Sequence, residues 1–306
     1  MIYTMTLNPS IDYIVRVTDL TLGALNRMDE DLKLPGGKGI NVSRILKRID
    51  KQSVALGFLG GFTGTYISNW LSNEEIRSQF TQTNGDTRIN IKLKSDTETE
   101  INGLGPVISE EEIASLKATL SEIKKGDIVI LSGSTPASLP KGFYQELIHQ
   151  IDVKEAEFVI DTTGEDLLHA LCHHPLLVKP NNHELAELYH TKFSSIEEII
   201  PYGRKLLESG AQHAIISMAG DGALLFTPQG VYQSNVLKRP LKNSVGAGDS
   251  MIAGFIGIYE ETKNPIEAFK WGVACGSATA FSDDLASKER IDELLPEVTI
   301  TQLQSF

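Results

Sequence analysis

From residue 109 onward, short apolar runs alternate with helical segments, and this pattern restricts the possible folds more than any other feature of the sequence. The runs Asp127–Leu131, Phe158–Asp161 and Leu176–Lys179 are nearly continuous in apolar residues, as strands buried on both faces are. A capping-box spacing at Ser109 opens the first of the helical segments. The alternation predicts an α/β fold whose central, mostly parallel sheet is covered by helices on both faces.

The composition is typical of a globular protein with an acidic balance. The 306 residues are 41% hydrophobic and 22% charged, and a chain of this length suits one large domain with room for a small appendage. The formal net charge of −12 argues against nucleic acid or an anionic membrane as a partner. An anionic substrate would therefore need basic residues that are focused locally.

Neither a targeting leader nor a membrane span is predicted. The first residues read as a short strand, and no apolar run approaches the roughly 20 residues that a membrane-spanning helix needs. Cys172 and Cys275 stand far apart in apolar contexts, so we expect two buried thiols and no disulfide. These features together predict a cytoplasmic protein.

Two segments in the first third of the chain alternate between apolar and polar residues. They span residues 11–17 and 86–94, and a third strand over residues 97–102 is predicted to return after a turn. Strands with one polar face do not suit a buried parallel sheet, so we expect a small half-exposed sheet that acts as a flap or as a dimer contact. This small sheet would be a lid on the single domain 1–306.

The polar faces of these strands carry candidate ligand contacts. Asp12 lies in the middle of the first strand, and Arg88 with Asn90, two residues apart, can point in the same direction. The alternative is a solvated strand face, which we accept for Lys92 and Lys94.

A first glycine-rich helix start lies in the stretch Leu34–Leu46. A proline and three glycines lead into a helical pattern there, with Lys38 and Asn41 in the first turns. The spacing is not that of a phosphate-binding Walker A loop, which needs a Gly-Lys-Ser/Thr ending. Exposed backbone amides, an ammonium group and a carboxamide suit the hydroxyls and phosphate of a sugar, whereas the alternative is a flexible turn before a helix.

A second glycine-rich helix start is Asn243–Ser250, where two glycines precede Asp249 and a long apolar helical run. The free amides of a first helical turn favour anions, and glycines let a phosphate approach the backbone. An anion hole beside a carboxylate is the arrangement that phosphoryl transfer to a hydroxyl requires. The alternative is an ordinary glycine turn capped by Asp249. A carboxylate at a helix N-terminus is expected to have a lowered pKa, which would make Asp249 a weak base.

Further candidates lie where the predicted parallel strands end. Ser134, Asp161 and Lys179 stand at or just past carboxyl ends of strands, which is where such sheets bind ligands. Asn181 and Glu184 are three residues apart at a predicted helix start. This spacing fits a capping box, and it equally fits a carboxylate that orders water around Mg²⁺ on a nucleotide.

Three of these stretches together resemble the ribokinase-like (PfkB) carbohydrate kinase family. Gly36–Ser43, Lys179–Glu184 and Ser244–Asp249 stand in the order and spacing of that family, and the resemblance covers essentially the whole chain. It implies a ribokinase-like three-layer fold with a small β lid over the sugar. Within the family the chain resembles the sugar-phosphate branch, the kinases of fructose 1-phosphate or tagatose 6-phosphate, and Ser244–Phe255 resembles the former more.

The resemblance also implies a role for each member of a set of residues. Asp249 matches the general base, with an anion hole at Gly246, Ala247 and Gly248. The residues that match positions contacting the sugar or its phosphate in the family are Asp12, Arg27, Gly36, Gly37, Lys38, Asn41, Arg88, Asn90 and Ser134. The residues that match positions contacting the nucleotide are Lys179, Asn181, Ser217, Gly220, Gly222 and Ser244. Glu184 matches a residue that holds Mg²⁺ through water, ATP is the implied phosphoryl donor, and a homodimer through the lid is implied. The chain departs from the family at Ala219, where glycine is usual.

Two other functions remain open at the level of the sequence. A sugar-phosphate-binding regulator could keep the fold without catalysis, but the presence of Asp249 with both glycines disfavours it. A kinase of a neutral sugar or nucleoside would not need the cluster of Arg27, Lys38 and Arg88.

Overall fold

In the computed structural model, which describes residues 1–306, fourteen strands are joined by ten α-helices and three short 3-10 turns. The strands are β1 (Ile2–Thr6), β2 (Ser10–Arg16), β3 (Glu30–Gly36), β4 (Ser53–Gly60), β5 (Arg77–Thr83), β6 (Arg88–Lys94), β7 (Glu98–Asn102), β8 (Ile128–Ser132), β9 (Glu157–Asp161), β10 (Leu177–Val178), β11 (Ala214–Ser217), β12 (Ala223–Thr227), β13 (Gly230–Ser234) and β14 (Ile300–Ser305). The helices are α1 (Lys38–Arg48), α2 (Gly61–Asn73), α3 (Glu110–Thr119), α4 (Phe143–Val153), α5 (Gly164–Leu171), α6 (Asn182–Leu188), α7 (Ile196–Glu208), α8 (Ala247–Thr262), α9 (Pro265–Ala280) and α10 (Lys288–Leu294).

Ten of the strands form one sheet in the order β14-β13-β12-β11-β10-β9-β8-β1-β4-β5. Every neighbouring pair from β5 to β11 is parallel, and the pairs beyond β11 are antiparallel. The carboxyl ends of seven strands therefore meet at one edge. The predicted central, mostly parallel sheet is confirmed.

The two faces of this sheet are buried in separate apolar cores. In β8, Val129 and Leu131 belong to the core beneath α3, α4 and α7, whereas Ile128 and Ile130 belong to the core beneath α1, α8 and α9. A strand with both faces buried needs an uninterrupted apolar run, which is why the runs in the sequence identified the central strands. The architecture is three layers, as the sequence predicted.

The lid is a separate four-stranded sheet in the order β3-β2-β6-β7. β2 and β6 are parallel with Asp12 opposite Asn90, so the predicted polar residues lie side by side. β3 was not predicted, because four of its seven residues are exposed and it ends in Pro35-Gly36. Lys92 and Lys94 pair with Glu100 and Glu98 across the β6–β7 hairpin, but only 13% and 28% of their side chains are exposed, so they are less solvated than the sequence predicted.

Other differences from the sequence predictions lie at the margins of the large sheet. β5 and most of β14 were not predicted, because both are edge strands with polar, partly exposed residues. Cys275 is buried and unpaired as expected, but the expectation of a buried Cys172 is wrong, since it ends α5 at the surface. None of the ten α-helices is both long enough and apolar enough to span a membrane.

Candidate active site

The large parallel sheet and the lid enclose a cavity of about 1550 Å³ at the carboxyl edge of the strands. Two of the predicted site residues, Arg27 and Gly36, do not line it. All the others do, and they are Asp12, Gly37, Lys38, Asn41, Arg88, Asn90, Ser134, Asp161, Lys179, Asn181, Glu184, Ser217, Gly220, Gly222, Ser244, Gly246, Ala247, Gly248 and Asp249. Residues that are up to 237 positions apart in the sequence thus meet at one surface, which we divide into a lid end, a charged centre and a loop end.

The N-terminus of α8 forms one wall of the charged centre. Gly246 caps the helix with φ 79°, a left-handed conformation that favours glycine, and its carbonyl accepts from the Ser250 amide at 2.8 Å. The amides of Gly248 and Asp249 precede that first intrahelical bond, so they are free to bind an anion. A β-carbon on Gly248 would lie 2.9 Å from Lys179 Nζ, so the ammonium group stands directly beside this turn.

Asp249 is buried in the first turn of α8, with 6% of the residue exposed. Its Oδ2 accepts from Asn41 Nδ2 at 2.8 Å, a contact that the sequence did not predict. Burial, followed by the nearby charge of Asp161, raises the pKa of Asp249 to about 6. The expectation of a lowered pKa is therefore wrong, because burial and a neighbouring carboxylate outweigh the helix terminus and the two lysines.

Asp161 completes the charged centre at the end of β9. Its Oδ2 lies 2.8 Å from Lys38 Nζ and its Oδ1 lies 3.6 Å from Lys179 Nζ. Burial alone would raise the pKa of Asp161, but the charges of Lys179 and Lys38 hold it below its usual value. Asp161 and Asp249 together overcome the burial of Lys38 and raise its pKa, so Lys38 remains charged at neutral pH.

The lid end presents a cradle of polar side chains on β2 and β6. Ser10 Oγ donates to Asp12 Oδ1 at 2.8 Å, and Asn90 Nδ2 donates to the same oxygen at 3.0 Å. Gly36 stands behind this cradle, since a β-carbon there would lie 2.6 Å from Asp12 Oδ2. These hydrogen bonds fix the carboxylate of Asp12, so it can accept from a sugar hydroxyl without reorganising.

Arg88 lies beside this cradle and has no carboxylate partner. Its guanidinium donates to the backbone carbonyls of Asn8, at 3.1 and 3.2 Å, and of Gly103, at 3.1 Å. Burial lowers the pKa of Arg88, although a guanidinium stays charged at any physiological pH. A partly buried cation that only carbonyls hold is available for an anionic group of a ligand.

The loop end is formed by the segment between β11 and β12 together with α6 and α9. Ser217 bridges to Asn181, and the turn through Gly220 and Gly222 follows. Ala219 adopts φ 48° in this turn, so the position where the family usually has glycine is a left-handed one that an alanine occupies with strain. Apolar side chains also line the cavity, among them Leu237, Val273, Ala280 and Phe281.

Glu184 and Asn181 form the capping box at the start of α6. Glu184 Oε2 accepts from the Asn181 amide and Asn181 Oδ1 accepts from the Glu184 amide, both at 2.8 Å. No cluster of three His, Cys, Asp or Glu side chains suited to a metal ion occurs in residues 1–306. The cap uses only Oε2 of Glu184, and Glu184 and Lys179 both line the cavity.

The second half of α1 ties two walls of the cavity together. Arg44 is almost completely buried, and its guanidinium donates to Glu74 at 3.1 Å and to Asp284 at 2.7 Å. Arg48 donates to the carbonyls of Leu285 and Ala286 in the same loop. Because Leu285 packs against the Gly246 turn, the helix that carries Lys38 and Asn41 is fixed relative to the start of α8.

Not every candidate is placed at the cavity, and some functional positions were missed. Arg27 stands exposed in the loop between β2 and β3, so its contact with a substrate stays a prediction. Ser10 was missed, although its spacing of two from Asp12 on one strand was a usable signal. Thr6 and Ser132 were also missed, and their hydroxyls lie buried at the cavity without a protein partner.

Comparisons with known proteins agree with this geometry. The family model described as pfkB family carbohydrate kinase matches residues 5–290. The chain is similar to the 1-phosphofructokinase of Bacillus subtilis, at 54% identity over 99% of this chain and 100% of that protein. It is also similar to the D-tagatose-1-phosphate kinase of Bacillus licheniformis, at 38% identity over 99% and 100%.

The fold is similar to that of phosphofructokinase-2 from Escherichia coli, solved in complex with substrates and products. The TM-score is 0.90 at 26% identity, over 97% of this chain and 98% of that one. A tetrameric inhibited form of the same protein gives a TM-score of 0.89. The ribokinase-like fold that the sequence predicted is thereby confirmed, and the chain belongs to the pfkB family of carbohydrate kinases.

Proposed function

We propose that this protein is an ATP-dependent sugar-phosphate kinase that phosphorylates the 6-hydroxyl of fructose 1-phosphate to give fructose 1,6-bisphosphate. The observation that carries the proposal is the charged centre, where a buried carboxylate of raised pKa stands in the first turn of α8 with the ammonium group of Lys179 beside it. The general base and the anion hole are therefore adjacent, as phosphoryl transfer to a hydroxyl requires.

The reaction is an in-line transfer. The 6-oxygen of the sugar forms a bond to the γ-phosphorus of ATP, the bond from that phosphorus to the bridging oxygen breaks, and ADP leaves. The proton of the attacking hydroxyl passes to Asp249. With a pKa of about 6, this carboxylate is ionised at neutral pH and yet more basic than an ordinary aspartate. The free amides of Gly248 and Asp249, with Lys179, bind the transferring group.

Arg88 would hold the phosphate that the sugar already carries, and Asp12 would accept from a sugar hydroxyl. The guanidinium has no carboxylate to give up, so binding a dianion there disrupts no ion pair. Lys38 belongs to the charged centre with Asp161, so we place it near the transferring group. A strong local positive charge of this kind lets a protein of net charge −12 bind an anion.

The loop end would take the nucleotide. Its apolar side chains suit a purine ring, and the turn through Gly220 and Gly222 exposes backbone to it. Mg²⁺ on the nucleotide usually keeps several waters, so the single free carboxylate oxygen of Glu184 fits a water-mediated site and needs no cluster of ligands. Mg²⁺ bound there would neutralise charge on the phosphates.

The first test is an ADP-release assay with ATP and Mg²⁺ that offers fructose 1-phosphate and tagatose 6-phosphate in parallel. We expect kcat/KM for fructose 1-phosphate to be at least about tenfold higher, which is 1.4 kcal/mol of transition-state discrimination. The opposite ratio would assign the enzyme to tagatose 6-phosphate. Turnover of no sugar phosphate would contradict the proposed kinase and favour a sugar-phosphate-binding protein.

A second candidate is a kinase of a tagatose phosphate, either tagatose 6-phosphate, which would give tagatose 1,6-bisphosphate, or tagatose 1-phosphate. The observation that favours it is the 38% identity with a relative named for tagatose 1-phosphate. Tagatose and fructose differ in the orientation of one hydroxyl. Adding tagatose 1-phosphate to the same assay decides between the two epimers, with the site residues unchanged.

The lid supports a further proposal, a homodimer. It exposes several large apolar side chains to water, among them Leu22, Leu25, Met28, Leu32, Ile89 and Ile101. Large apolar side chains that are exposed in one small sheet and its β2–β3 loop favour an interface there. We expect light scattering to give twice the chain mass of 33.5 kDa, and Ile101→Asp to reduce it to the monomer. Val153→Asp, at an exposed apolar residue on α4, is the matched control, and a monomeric unmodified protein would contradict the proposal.

We also place the enzyme in the cytoplasm, where ATP and sugar phosphates are found. Both cysteines are free thiols, which is common in reducing compartments. Fractionation of cells that produce the protein tests the location.

A further inference from the structure

Asp161 lies between two lysines of the charged centre and yet takes no part in the transfer described above. It is the last residue of β9, and its side chain is 5% exposed. Lys38 reaches it from the first turn of α1, and Lys179 reaches it from just beyond β10. Each ammonium group has its own carboxylate oxygen, at 2.8 Å for Lys38 and 3.6 Å for Lys179.

We propose that Asp161 is a positioning residue that holds the ammonium groups of Lys38 and Lys179 toward the transferring phosphoryl group and keeps them from pairing with Asp249. The inference rests on the proposed phosphoryl transfer. Asp161 itself touches neither the hydroxyl nor the phosphorus in this role.

The hydrogen bonds around Asp249 support the proposal. Four groups face it: Asp161 from β9, Lys38 and Asn41 from α1, and Lys179 from the segment after β10. Of these four, only the neutral carboxamide of Asn41 is hydrogen-bonded to it. The two cations are bound to Asp161 instead. A direct ion pair with either lysine would lower the basicity of Asp249, so the division of partners leaves the base free for the hydroxyl proton.

The charges explain why the two lysines pair with Asp161 and not with Asp249. Two cations on one buried carboxylate hold it in its ionised form, despite the cost of burial. Lys38 has 41% of its side chain exposed and a flexible stem, so without this partner its ammonium group would be free to move. Asp249 is the next carboxylate that acts on both lysines.

The test compares the pH dependence of kcat for the unmodified enzyme and for Asp161→Asn, which keeps the shape and removes the charge. We expect kcat to fall at least about tenfold, and the acid limb of the profile to move down by about 1 pH unit, because Asp249 loses a like charge and gains a released cation. The KM for fructose 1-phosphate should change less than about threefold, since the lid end is untouched.

Asp161→Glu keeps the charge on a longer side chain, so it should lose part of kcat while its acid limb stays in the position of the unmodified enzyme. A purely structural role would lower the melting temperature and the yield of both variants without moving the pH profile. If Asp161→Asn does not fold, the neutral double variant Asp161→Asn/Lys38→Met replaces it. Lys179 is then the released cation, and a smaller downward movement is expected, because Lys38, which also lowers the pKa of Asp249, is lost with Asp161.

The outcomes separate this inference from the proposed function. An active unmodified enzyme whose neutral variant at position 161 keeps the original acid limb would overturn the positioning role alone. An unmodified enzyme that turns over no sugar phosphate would overturn the proposed function, and the inference with it. A downward movement in the neutral variant, with Asp161→Glu unmoved, would establish that the charge of Asp161 acts on Asp249.

Discussion

The lid end and the charged centre hold their cations in opposite ways. Arg88 at the lid end is held by backbone carbonyls and has no carboxylate partner. Lys38 and Lys179 at the charged centre share Asp161. A cation held by carbonyls keeps its charge for a ligand, whereas paired cations keep their place but lose much of their field. The difference indicates that the lid end binds the phosphate that the sugar already carries, whereas the charged centre binds a phosphoryl group only while it is transferred.

The largest expected effect concerns the charged centre. Asp249→Asn should lower kcat by about a thousandfold or more, because the hydroxyl proton loses its acceptor. ATP binding, measured by calorimetry, should remain within about threefold of normal, since the loop end is unchanged. Asp152→Asn, at a half-exposed acid paired with His173, is the control. An Asp249→Asn enzyme with more than about a tenth of normal kcat, a loss under roughly 1.4 kcal/mol, would exclude Asp249 as the base.

The next effect concerns the lid end. Arg88→Ala should raise KM for fructose 1-phosphate by about 30- to 150-fold, since about 2–3 kcal/mol of charged hydrogen bonding is lost. The KM for unphosphorylated fructose should not change, because that sugar offers no anion to the guanidinium. Arg16→Ala, at an exposed lid arginine paired with Glu30, is the control. An equal rise of KM for both sugars would mean that Arg88 only supports the lid.

Arg27→Ala separately tests the predicted contact between Arg27, in the exposed loop, and the substrate.

A smaller effect should appear in the pH dependence of the unmodified enzyme. Transfer needs Asp249 ionised, and its pKa is raised to about 6. Activity should therefore be full above pH 7 and decline as the pH falls through 6, by about tenfold for each further pH unit. A profile of kcat in overlapping buffers measures this. Constant kcat down to pH 5 would show that the carboxylate is as acidic as an ordinary aspartate.

The smallest effect concerns the loop end. Ala219→Gly should raise the free energy of unfolding by up to about 1 kcal/mol, because φ 48° strains alanine and suits glycine. Thermal unfolding measures the change, with KM for ATP expected to stay within about twofold. Ala223→Gly, in the buried strand β12, is the control and should destabilise. A destabilised Ala219→Gly would mean that neighbouring contacts relieve the strain.

Features that depend on adjacent residues could be predicted from the sequence. The start of α8 needs only the glycines and the acid of one short stretch, and Ser109 opens α3 with the capping box that its spacing predicts. The polar cradle followed from strand alternation, once β2 and β6 are paired. These features involve local geometry, which the chain specifies within a few residues.

Features that depend on distant contacts could not be predicted. Lys38 and Asp161 are 123 residues apart, and no local pattern joins them. The pKa of Asp249 had the wrong predicted direction for the same reason, because burial and Asp161 are supplied by other elements. β3 could not be predicted, because its exposed polar residues form a strand only through pairing with β2.

The buried guanidinium of Arg44 has a consequence for how the substrate preference of this enzyme could change. Because it holds α1 to the Asp284 loop, the reaction centre is assembled by α1, α8 and the strand ends of the large sheet, without the lid. Lid residues can then be exchanged without disturbing the base or the anion hole. New sugar preferences could accumulate in the lid while the transfer chemistry is inherited intact, so variants that differ mainly in β2, β3, β6 and β7 offer a short route between related kinases.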